Sequence, residues 1–276
     1  ISITKFLYWL KNEIVFGETN EITASKKLLS LREKNNLFYS LSFETISAVD
    51  QHAALPHYRV TKESNLPFKP NSIYLVDSGA QYLDGTTDVT RTIILGIPTN
   101  EQKDRFTRVL KGHIAIANCS FEQSTKGSRL DPLARKSLNE IGCDYDHGTG
   151  HGIGSFLSVH EGPQRIAKPK GFNDGELQEG MILSNEPGFY KKGEYGIRIE
   201  NLIIIKRKSQ TYLEFETISW APIDNDLIDI SLLTSREVEW LNWYYKEVFN
   251  KLANQLNSNE KTWLKEVTKP ISSHRL

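Results

Sequence analysis

Two aspartates in the first half of the sequence are placed where a hairpin would bring them together. Asp77 follows an apolar run, Asp88 lies in a threonine-rich run, and Asp84-Gly85 between them is a strong turn signal. Two carboxylates on adjacent strands repel each other, and burying either one is costly unless something neutralises its charge. The pair therefore indicates a bound cation, whereas Asp84 is explained as a turn residue and has no predicted ligand role.

Two glutamates in the second half repeat this arrangement. Glu186 and Glu200 flank a turn signal at Lys192-Gly193 and lie beside apolar strand residues, where isolated carboxylates are poorly placed. With His151 they complete a hard, oxygen-rich ligand set that suits Mn²⁺, Co²⁺, Fe²⁺ or Mg²⁺ better than a sulfur-rich zinc site does. Two such cations, roughly 3.5–4 Å apart, are the general design of dinuclear hydrolases, which predicts hydrolysis of an acyl bond.

Each acid taken singly has a simpler explanation. Asp77 or Glu200 alone is explained as well by a solvated loop carboxylate or a turn cap. The prediction of a metal site therefore depends on the whole set and on its repeated spacing.

The elements that must position these residues also form a repeated pattern. The predicted order is a helix from the first residue to Gly17, a helix from a Thr23 cap to about Lys34, strands at 73–76 and 86–94, a helix that begins at Asn100, a helix from Asp131-Pro132 to Gly142, strands at 181–184 and 197–205, a helix after a Thr234/Glu237 capping box, and a helix at 260–267. Helix pairs that precede strand hairpins, twice, predict one domain with a mixed α/β sheet and helices on one side.

The composition excludes several classes of function. The 38% hydrophobic content allows a sizeable core, and the two cysteines have no C-x-x-C spacing, so a reducing compartment is expected. Lys and Arg number 34, as do Asp and Glu, so no overall field attracts nucleic acid or an anionic membrane. The aliphatic run at 202–205 is far shorter than the ~20 apolar residues of a membrane helix. We expect a cytoplasmic protein whose function lies in a local site.

Five short motifs are spread along the chain: DSGAQY at 77–82, TTDVTRT at 86–92, HGTGHGIG at 147–154, NEPG at 185–188 and GIRIEN at 196–201. In these motifs the chain resembles the Xaa-Pro aminopeptidases, also called aminopeptidase P, of the M24 metallopeptidases. The resemblance implies the α+β pita-bread fold, with two pseudo-symmetric halves, a curved and mostly antiparallel sheet, and helices outside. It also implies a catalytic domain over residues 1–276, with a C-terminal extension at about 221–276 and further domains upstream of Ile1.

The resemblance assigns a role to each of the five ligands. Asp77 is implied as a terminal ligand of one metal, and His151 and Glu186 as terminal ligands of the other. Asp88 and Glu200 are implied as bridging carboxylates, and Glu186 also as the general base. The implied cofactor is a pair of divalent ions, with Mn²⁺ favoured and Zn²⁺ or Co²⁺ as alternatives.

Three histidines are implied as substrate-pocket residues that stabilise the tetrahedral oxygen or contact the proline end. They are His57, His147 and His160. Residues 50–56, ahead of His57, replace the glycine-bearing segment that is usual in the family, and His52 within them is a lesser candidate.

Arg198 should share a strand face with Glu200 and hold a ligand carboxylate, with an exposed strand arginine as the alternative.

The resemblance implies an aminopeptidase that removes a residue preceding proline, by attack of a metal-bridging hydroxide, from peptides with proline in the second position. The long cytosolic form of the family makes a homodimer the expected assembly. A prolidase that cleaves Xaa-Pro dipeptides would use the same ligands and differ only in its pocket. A pita-bread binding module without metal, or a metal-independent creatinase-like enzyme, is disfavoured because all five ligand positions are filled.

Overall fold

A helix pair precedes antiparallel strands twice along the chain, which is the order that the sequence pattern predicts. The structure is a computed structural model that describes residues 1–156, 158–169 and 175–272. Its α-helices are α1 Ser2–Asn12, α2 Glu21–Arg32, α3 Asn100–Ala117, α4 Asp131–Asn139, α5 Ser235–Leu252 and α6 Ser258–Val267. Its strands are β1 Phe38–Leu41, β2 Ile46–Val49, β3 Ser72–Ser78, β4 Ala80–Tyr82, β5 Gly85–Thr86, β6 Val89–Leu95, β7 Ser120–Glu122, β8 Gly150–Gly152, β9 Glu161–Ile166, β10 Ile182–Asn185, β11 Gly188–Lys191, β12 Tyr195–Arg198, β13 Asn201–Arg207 and β14 Tyr212–Thr217.

The first half is built on the sheet β2-β3-β6. Strands β3 and β6 pair antiparallel along their whole length, and both are buried throughout. Asp77 lies opposite Thr90 in this ladder, and Asp88 immediately precedes β6. The connection between them contains the small pair β4-β5, whose tight turn holds Asp84. The predicted hairpin is therefore present, with a second, shorter hairpin inserted at its tip.

The second half is built on the six-stranded sheet β7-β14-β13-β10-β8-β9. The predicted hairpin around Gly193 is divided into two pairs, since β10 pairs with β13 and β11 pairs with β12. Glu186 lies in the break between β10 and β11, and Glu200 lies in the break between β12 and β13. Both glutamates are thus placed where the chain leaves one strand pair and enters the next, rather than inside a regular ladder.

Several helix boundaries differ from the predictions. Helix α1 ends at Asn12, well before Gly17, because the chain turns through an exposed segment before Gly17 takes a φ of 85°. The cap of α2 is Asn20, while Thr23 forms the other member of the capping box. Helix α4 ends at Asn139, ahead of the predicted end at Gly142.

The C-terminal helices complete the core. Trp240 and Tyr244 of α5 stack with ring centroids 5.2 Å apart and pack into the main apolar cluster with α3, while Ala221 joins the cluster under β3 and β6. Residues 273–276 of the predicted extension lie outside the described residues. Among the helices that the structure describes, none has the length and apolar character needed to cross a bilayer.

Candidate metal centre and substrate pocket

One cavity of about 550 Å³ brings all the predicted site residues together. Its walls come from both halves, and its apolar side is formed by residues such as Phe43, Ile46 and Val159. The predicted residues among its lining are Asp77, Asp88, His151, Glu186, Glu200, His57, His147, His160 and Arg198. Apolar walls with a few convergent polar groups are typical of small-molecule and peptide sites.

Three of the five predicted ligands form a compact group. One ligand atom each from Asp88, His151 and Glu200 lies within 4.8 Å of the others. Glu186 adjoins this group, because its Oε1 is 3.3 Å from His151 Nε2. Asp77 lines the same cavity, and its Oδ2 accepts a hydrogen bond of 2.8 Å from Arg198. The arrangement places the four carboxylates around one space.

The carboxylates leave free oxygens in this buried space. Within the part of the chain that the structure describes, Asp77 Oδ1, Asp88 Oδ1 and Glu200 Oε1 are buried and have no hydrogen-bond partner. The other oxygen of Glu200 accepts from Thr90 Oγ1 at 2.8 Å, as that of Asp77 does from Arg198. Buried polar atoms are normally satisfied, so orphaned oxygens on clustered acids fit a pair of divalent cations.

Burial and neighbouring negative charges raise the pKa of three carboxyl groups in the pocket. Burial, and then the neighbouring charges of Asp77 and Glu186, hold the pKa of Asp88 well above its usual range. Burial and the charge of Asp88 do the same for the pKa of Glu200, and burial raises the pKa of Glu186 to about 7. Ionised together, these acids repel one another, and bound cations remove that penalty.

His151 is oriented for metal binding. Its Nδ1 lies 2.9 Å from the carbonyl oxygen of Gly152, which can only accept, so Nδ1 carries the hydrogen and Nε2 keeps its lone pair. Burial lowers the pKa of His151, which favours the neutral imidazole that a metal requires. A hydrogen bond that fixes the tautomer in this way is typical of histidine ligands.

Arg198 holds Asp77, which lies outside the compact group of Asp88, His151 and Glu200. Besides Asp77, it donates to the Tyr190 hydroxyl at 2.7 Å and to the carbonyl oxygen of Pro56 at 3.3 Å. The alternative of an exposed strand arginine is wrong, because Arg198 is buried. Its direct carboxylate contact is with Asp77, since Glu200 is instead bonded by Thr90.

Tyr190 is a site residue that the sequence reasoning missed. Its hydroxyl accepts from Arg198 and lies 2.8 Å from His147 Nε2. His147 Nδ1 faces the carbonyl oxygen of Gly148 at 2.7 Å, so Nε2 is the acceptor and the tyrosine hydroxyl donates to it. No spacing in the sequence points to Tyr190, although Gly188 leaves room for it, since a Cβ added at Gly188 would lie 2.6 Å from the Tyr190 hydroxyl.

The remaining pocket histidines are less constrained. The His160 ring packs edge-on against His151, with centroids 4.2 Å apart. For His57 and His160, the structure gives no ring hydrogen bond to any residue that it describes. His52 is not among the residues that line this cavity, and its Nδ1 lies 2.9 Å from the buried carboxylate of Glu21. Its role as a lesser pocket candidate is therefore wrong.

The segment before His57 has a distinct backbone. Asp50 takes a left-handed φ of 49°, which is costly for a residue other than glycine, at the start of the short helix Asp50–Ala54. Its carboxylate accepts from Ser72 Oγ and from the backbone N–H of Ile73, both at 2.9 Å. These bonds hold the glycine-free segment in its conformation.

A two-halved α+β fold around a pocket of buried carboxylates and histidines is the architecture of the pita-bread metallopeptidases. The chain belongs to metallopeptidase family M24, because residues 2–207 match that family and residues 211–271 match the C-terminal region of peptidase M24. The pita-bread fold and the M24 resemblance are thus confirmed.

Relatives share nearly the whole chain. Aminopeptidase P1 of Arabidopsis thaliana is 42% identical over 98% of this chain and 46% of its own length. The probable Xaa-Pro aminopeptidase P of Coccidioides posadasii (strain RMSCC 757 / Silveira) is 43% identical, with the same coverage of 98% and 46%. The chain therefore spans less than half the length of these curated relatives.

Solved structures agree with this assignment. The X-prolyl aminopeptidase of Caenorhabditis elegans, described as a cytosolic enzyme with a di-nuclear active site, superimposes with a TM-score of 0.92. It is 42% identical, and the match covers 98% of this chain and 45% of that one. A prolidase from Thermococcus sibiricus superimposes with a TM-score of 0.68 at 26% identity, over 80% of this chain and 57% of that one.

Proposed function

We propose that this chain carries the active site of a metal-dependent aminopeptidase that hydrolyses the bond between an N-terminal residue and a following proline. The observation that carries the proposal is the cluster of buried carboxylates, whose orphaned oxygens share one cavity with His151. The aminopeptidase P relatives, similar over 98% of the chain, support the choice of substrate.

Five residues are proposed to hold two divalent ions. They are Asp77, Asp88, His151, Glu186 and Glu200. When bound, such ions would supply a water of lowered pKa and would polarise the substrate carbonyl. The oxygen-rich ligand set supports Mn²⁺, with Zn²⁺ and Co²⁺ as alternatives, and Asp88 and Glu200, which lie together in the compact group, suit the bridging positions.

Glu186 is proposed as the general base. Ser184 Oγ donates to its Oε1 at 3.0 Å, which fixes the carboxylate, and Glu186 takes the proton of the attacking water. The departing proline nitrogen must gain a proton as the C–N bond breaks, and the proton taken up by Glu186 supplies it. Arg198 keeps Asp77 in place, and His57 and His160 are proposed to contact the substrate.

The cellular location, assembly and substrates of the enzyme are proposed from its relatives. The cytosolic description of the nematode enzyme supports a cytoplasmic location, and the resemblance to the long form supports a homodimer. Peptides with proline in the second position are the proposed substrates. Residues from about 221 onward are proposed as an extension of one catalytic domain.

Glu186→Gln tests this function. We expect the purified protein to release the first residue of a proline-second tripeptide in the presence of Mn²⁺, and kcat to fall by roughly 10²–10⁴-fold in the variant. Glu194→Gln, on the exposed turn of the β11–β12 hairpin, is the matched control and should retain full activity.

Substrate length separates the proposal from its alternative. Cleavage of the tripeptide and of longer peptides supports the aminopeptidase, whereas cleavage restricted to Xaa-Pro dipeptides would identify a prolidase. An unchanged rate in Glu186→Gln contradicts the assignment of the base, and inactivity with every divalent ion contradicts the proposed function.

A further inference from the structure

A buried arginine next to the metal site is not used by the proposed chemistry. Arg91 of β6 is 1% exposed, and its guanidinium lies among acceptors that are all uncharged. Burying a cation without such partners is strongly unfavourable, so the position of every acceptor matters. The acceptors fall into two groups from distant parts of the chain.

The first group belongs to the segments that carry the predicted ligands. Its members are the carbonyl oxygens of Thr90 at 2.7 Å and Glu200 at 2.6 Å, and Asn201 Oδ1 at 2.8 Å. The second group belongs to the C-terminal region, by which we mean the described residues from 221 onward. Its members are the carbonyl oxygens of Ala221 at 2.8 Å and Pro222 at 3.0 Å, and the Tyr244 hydroxyl at 2.9 Å. Arg91 therefore joins helix α5 to the backbone of Glu200.

Asn201 extends this connection to the other glutamate. Its Nδ2 lies 3.2 Å from Nε2 of His113, a fully buried residue of α3. His113 Nδ1 faces the carbonyl oxygen of Asn185 at 3.1 Å, and Asn185 Nδ2 donates back to the carbonyl oxygen of His113 at 2.9 Å. Since Nδ1 must donate to that carbonyl, Nε2 accepts from Asn201. One buried network thus touches the residue before Glu186 and the residue after Glu200.

We propose that Tyr244 of α5 is a positioning residue for the metal centre, and that the C-terminal region sets metal affinity through the Tyr244–Arg91–Asn201 contacts. The proposal rests on the proposed function, because it assumes that Glu186 and Glu200 bind metal. Both glutamates lie in breaks between strands, where the N–H of Glu186 donates to Thr149 at 2.8 Å and that of Glu200 to Thr90 at 3.1 Å. The contacts of Arg91 and Asn201 add to these single backbone bonds. Ligands must be held within about 0.5 Å, and loss of the groups that orient them commonly lowers metal affinity 10–100-fold.

The next residue along α5 provides a matched control. The Tyr245 side chain is as fully buried as that of Tyr244. Its hydroxyl bonds to the carbonyl oxygen of Ile223 at 3.3 Å and to Asn225 Oδ1, both in the C-terminal region. Tyr244→Phe and Tyr245→Phe thus each delete one buried hydroxyl, but only the Tyr244 hydroxyl contacts Arg91 and Asn201.

The test measures the Mn²⁺ dissociation constant of the wild-type protein and of both variants by electron paramagnetic resonance of free Mn²⁺. We expect Tyr244→Phe to raise Kd about tenfold and Tyr245→Phe to leave it within about twofold of wild type. Both variants should lower the melting temperature of the metal-free protein to a similar extent. At saturating Mn²⁺, KM for the tripeptide should be unchanged in both.

Each result decides the proposal. An unchanged Kd in Tyr244→Phe, or an equal rise in both variants, overturns it, because the second pattern means general destabilisation. If Tyr244→Phe does not fold, Asn201→Ala replaces it, with the same expected rise and the same consequence if Kd is unchanged. Failure of the wild-type protein to bind Mn²⁺ or any other divalent ion overturns the proposed function, and this inference with it.

Discussion

At the scale of single residues, Glu200 and Asp77 each have one hydrogen-bonded and one unbonded carboxylate oxygen. Glu200 uses one oxygen to accept from Thr90, and Asp77 uses one to accept from Arg198, while the second oxygen of each stays unbonded to the described protein. A carboxylate held by one oxygen has a fixed orientation, and its free oxygen suits a cation. This arrangement stabilises a metal complex at the expense of the metal-free protein.

Asp88→Asn should therefore stabilise the metal-free protein while it abolishes stabilisation by metal. Asparagine keeps the shape of Asp88 but removes a buried charge that neighbouring carboxylates repel. We expect the free energy of unfolding in urea with a chelator to rise by about 1 kcal/mol. Added Mn²⁺ should stabilise wild type and leave the variant unchanged.

Asp84→Asn serves as the control, since Asp84 is an exposed turn residue. It should leave both measurements within about 0.5 kcal/mol of wild type. A metal-free Asp88→Asn protein less stable than wild type would mean that the carboxylate is satisfied without metal.

At the scale of elements, helix α2 positions the pocket from outside it. Glu21, at the first turn of α2, is buried and accepts from the backbone N–H groups of Val49 and Leu66 at 2.9 and 3.0 Å. It also bonds to His52 and to the Tyr58 hydroxyl, which lie on either side of the segment that carries His57. A carboxylate at a helix N-terminus is further favoured by the helix dipole. We infer that Glu21 fixes the loop that presents His57.

Glu21→Gln tests this role of the helix. The amide can accept on one side only, so at least one buried donor loses its partner, and we expect a loss of about 2–3 kcal/mol in the free energy of unfolding. Because the His57 loop is loosened, KM for the tripeptide should rise more than kcat falls. Glu33→Gln, exposed at the other end of α2, should change neither. Unaltered KM in a destabilised Glu21→Gln protein would limit Glu21 to a structural role.

At the scale of the whole molecule, the C-terminal region is joined to the first half by more than apolar packing. Lys11 of α1 donates to Asp224 at 2.8 Å and to the carbonyl oxygen of Ile94, also at 2.8 Å. Asp224 also accepts from the backbone N–H of Ile94 at 3.0 Å. The Asp224 side chain is 7% exposed, so it depends on this cation for compensation. Buried polar contacts therefore tie the C-terminal region to α1 and β6.

Lys11→Met tests whether the buried Asp224 carboxylate depends on the Lys11 cation. Removing one partner of a buried pair leaves an uncompensated charge, and we expect a loss of about 3–5 kcal/mol in urea unfolding. The double variant Lys11→Met/Asp224→Asn should recover most of it, since asparagine still accepts from Ile94. Lys269→Met, which breaks an exposed pair with Glu266, should cost no more than about 1 kcal/mol. Additive losses in the double variant would show that the pair is not coupled.

The sequence by itself predicted the ligand set and indicated the order of helix pairs and hairpins and several helix ends, but not the strands β1, β2, β7 and β14. The capping box at Thr234 is a local pattern, because its hydrogen bonds join residues three positions apart. The family motifs indicated the fold and the pocket residues, and the cavity contains all of them. Their individual roles, the metal identity and the presence of domains upstream of Ile1 stay predictions.

The tertiary structure alone decided which buried groups support the site. The supporting roles of Tyr190, Arg91 and His113 could not be inferred from the sequence, because each has hydrogen-bond partners more than forty residues away along the chain. His52 looked like a pocket residue in sequence, yet it faces Glu21 from an earlier helix. The breaks at Glu186 and Glu200 likewise follow from strand pairing across the sheet. Local spacing specifies which residues share a turn or a face, whereas a buried hydrogen bond depends on distances that only the packed chain defines.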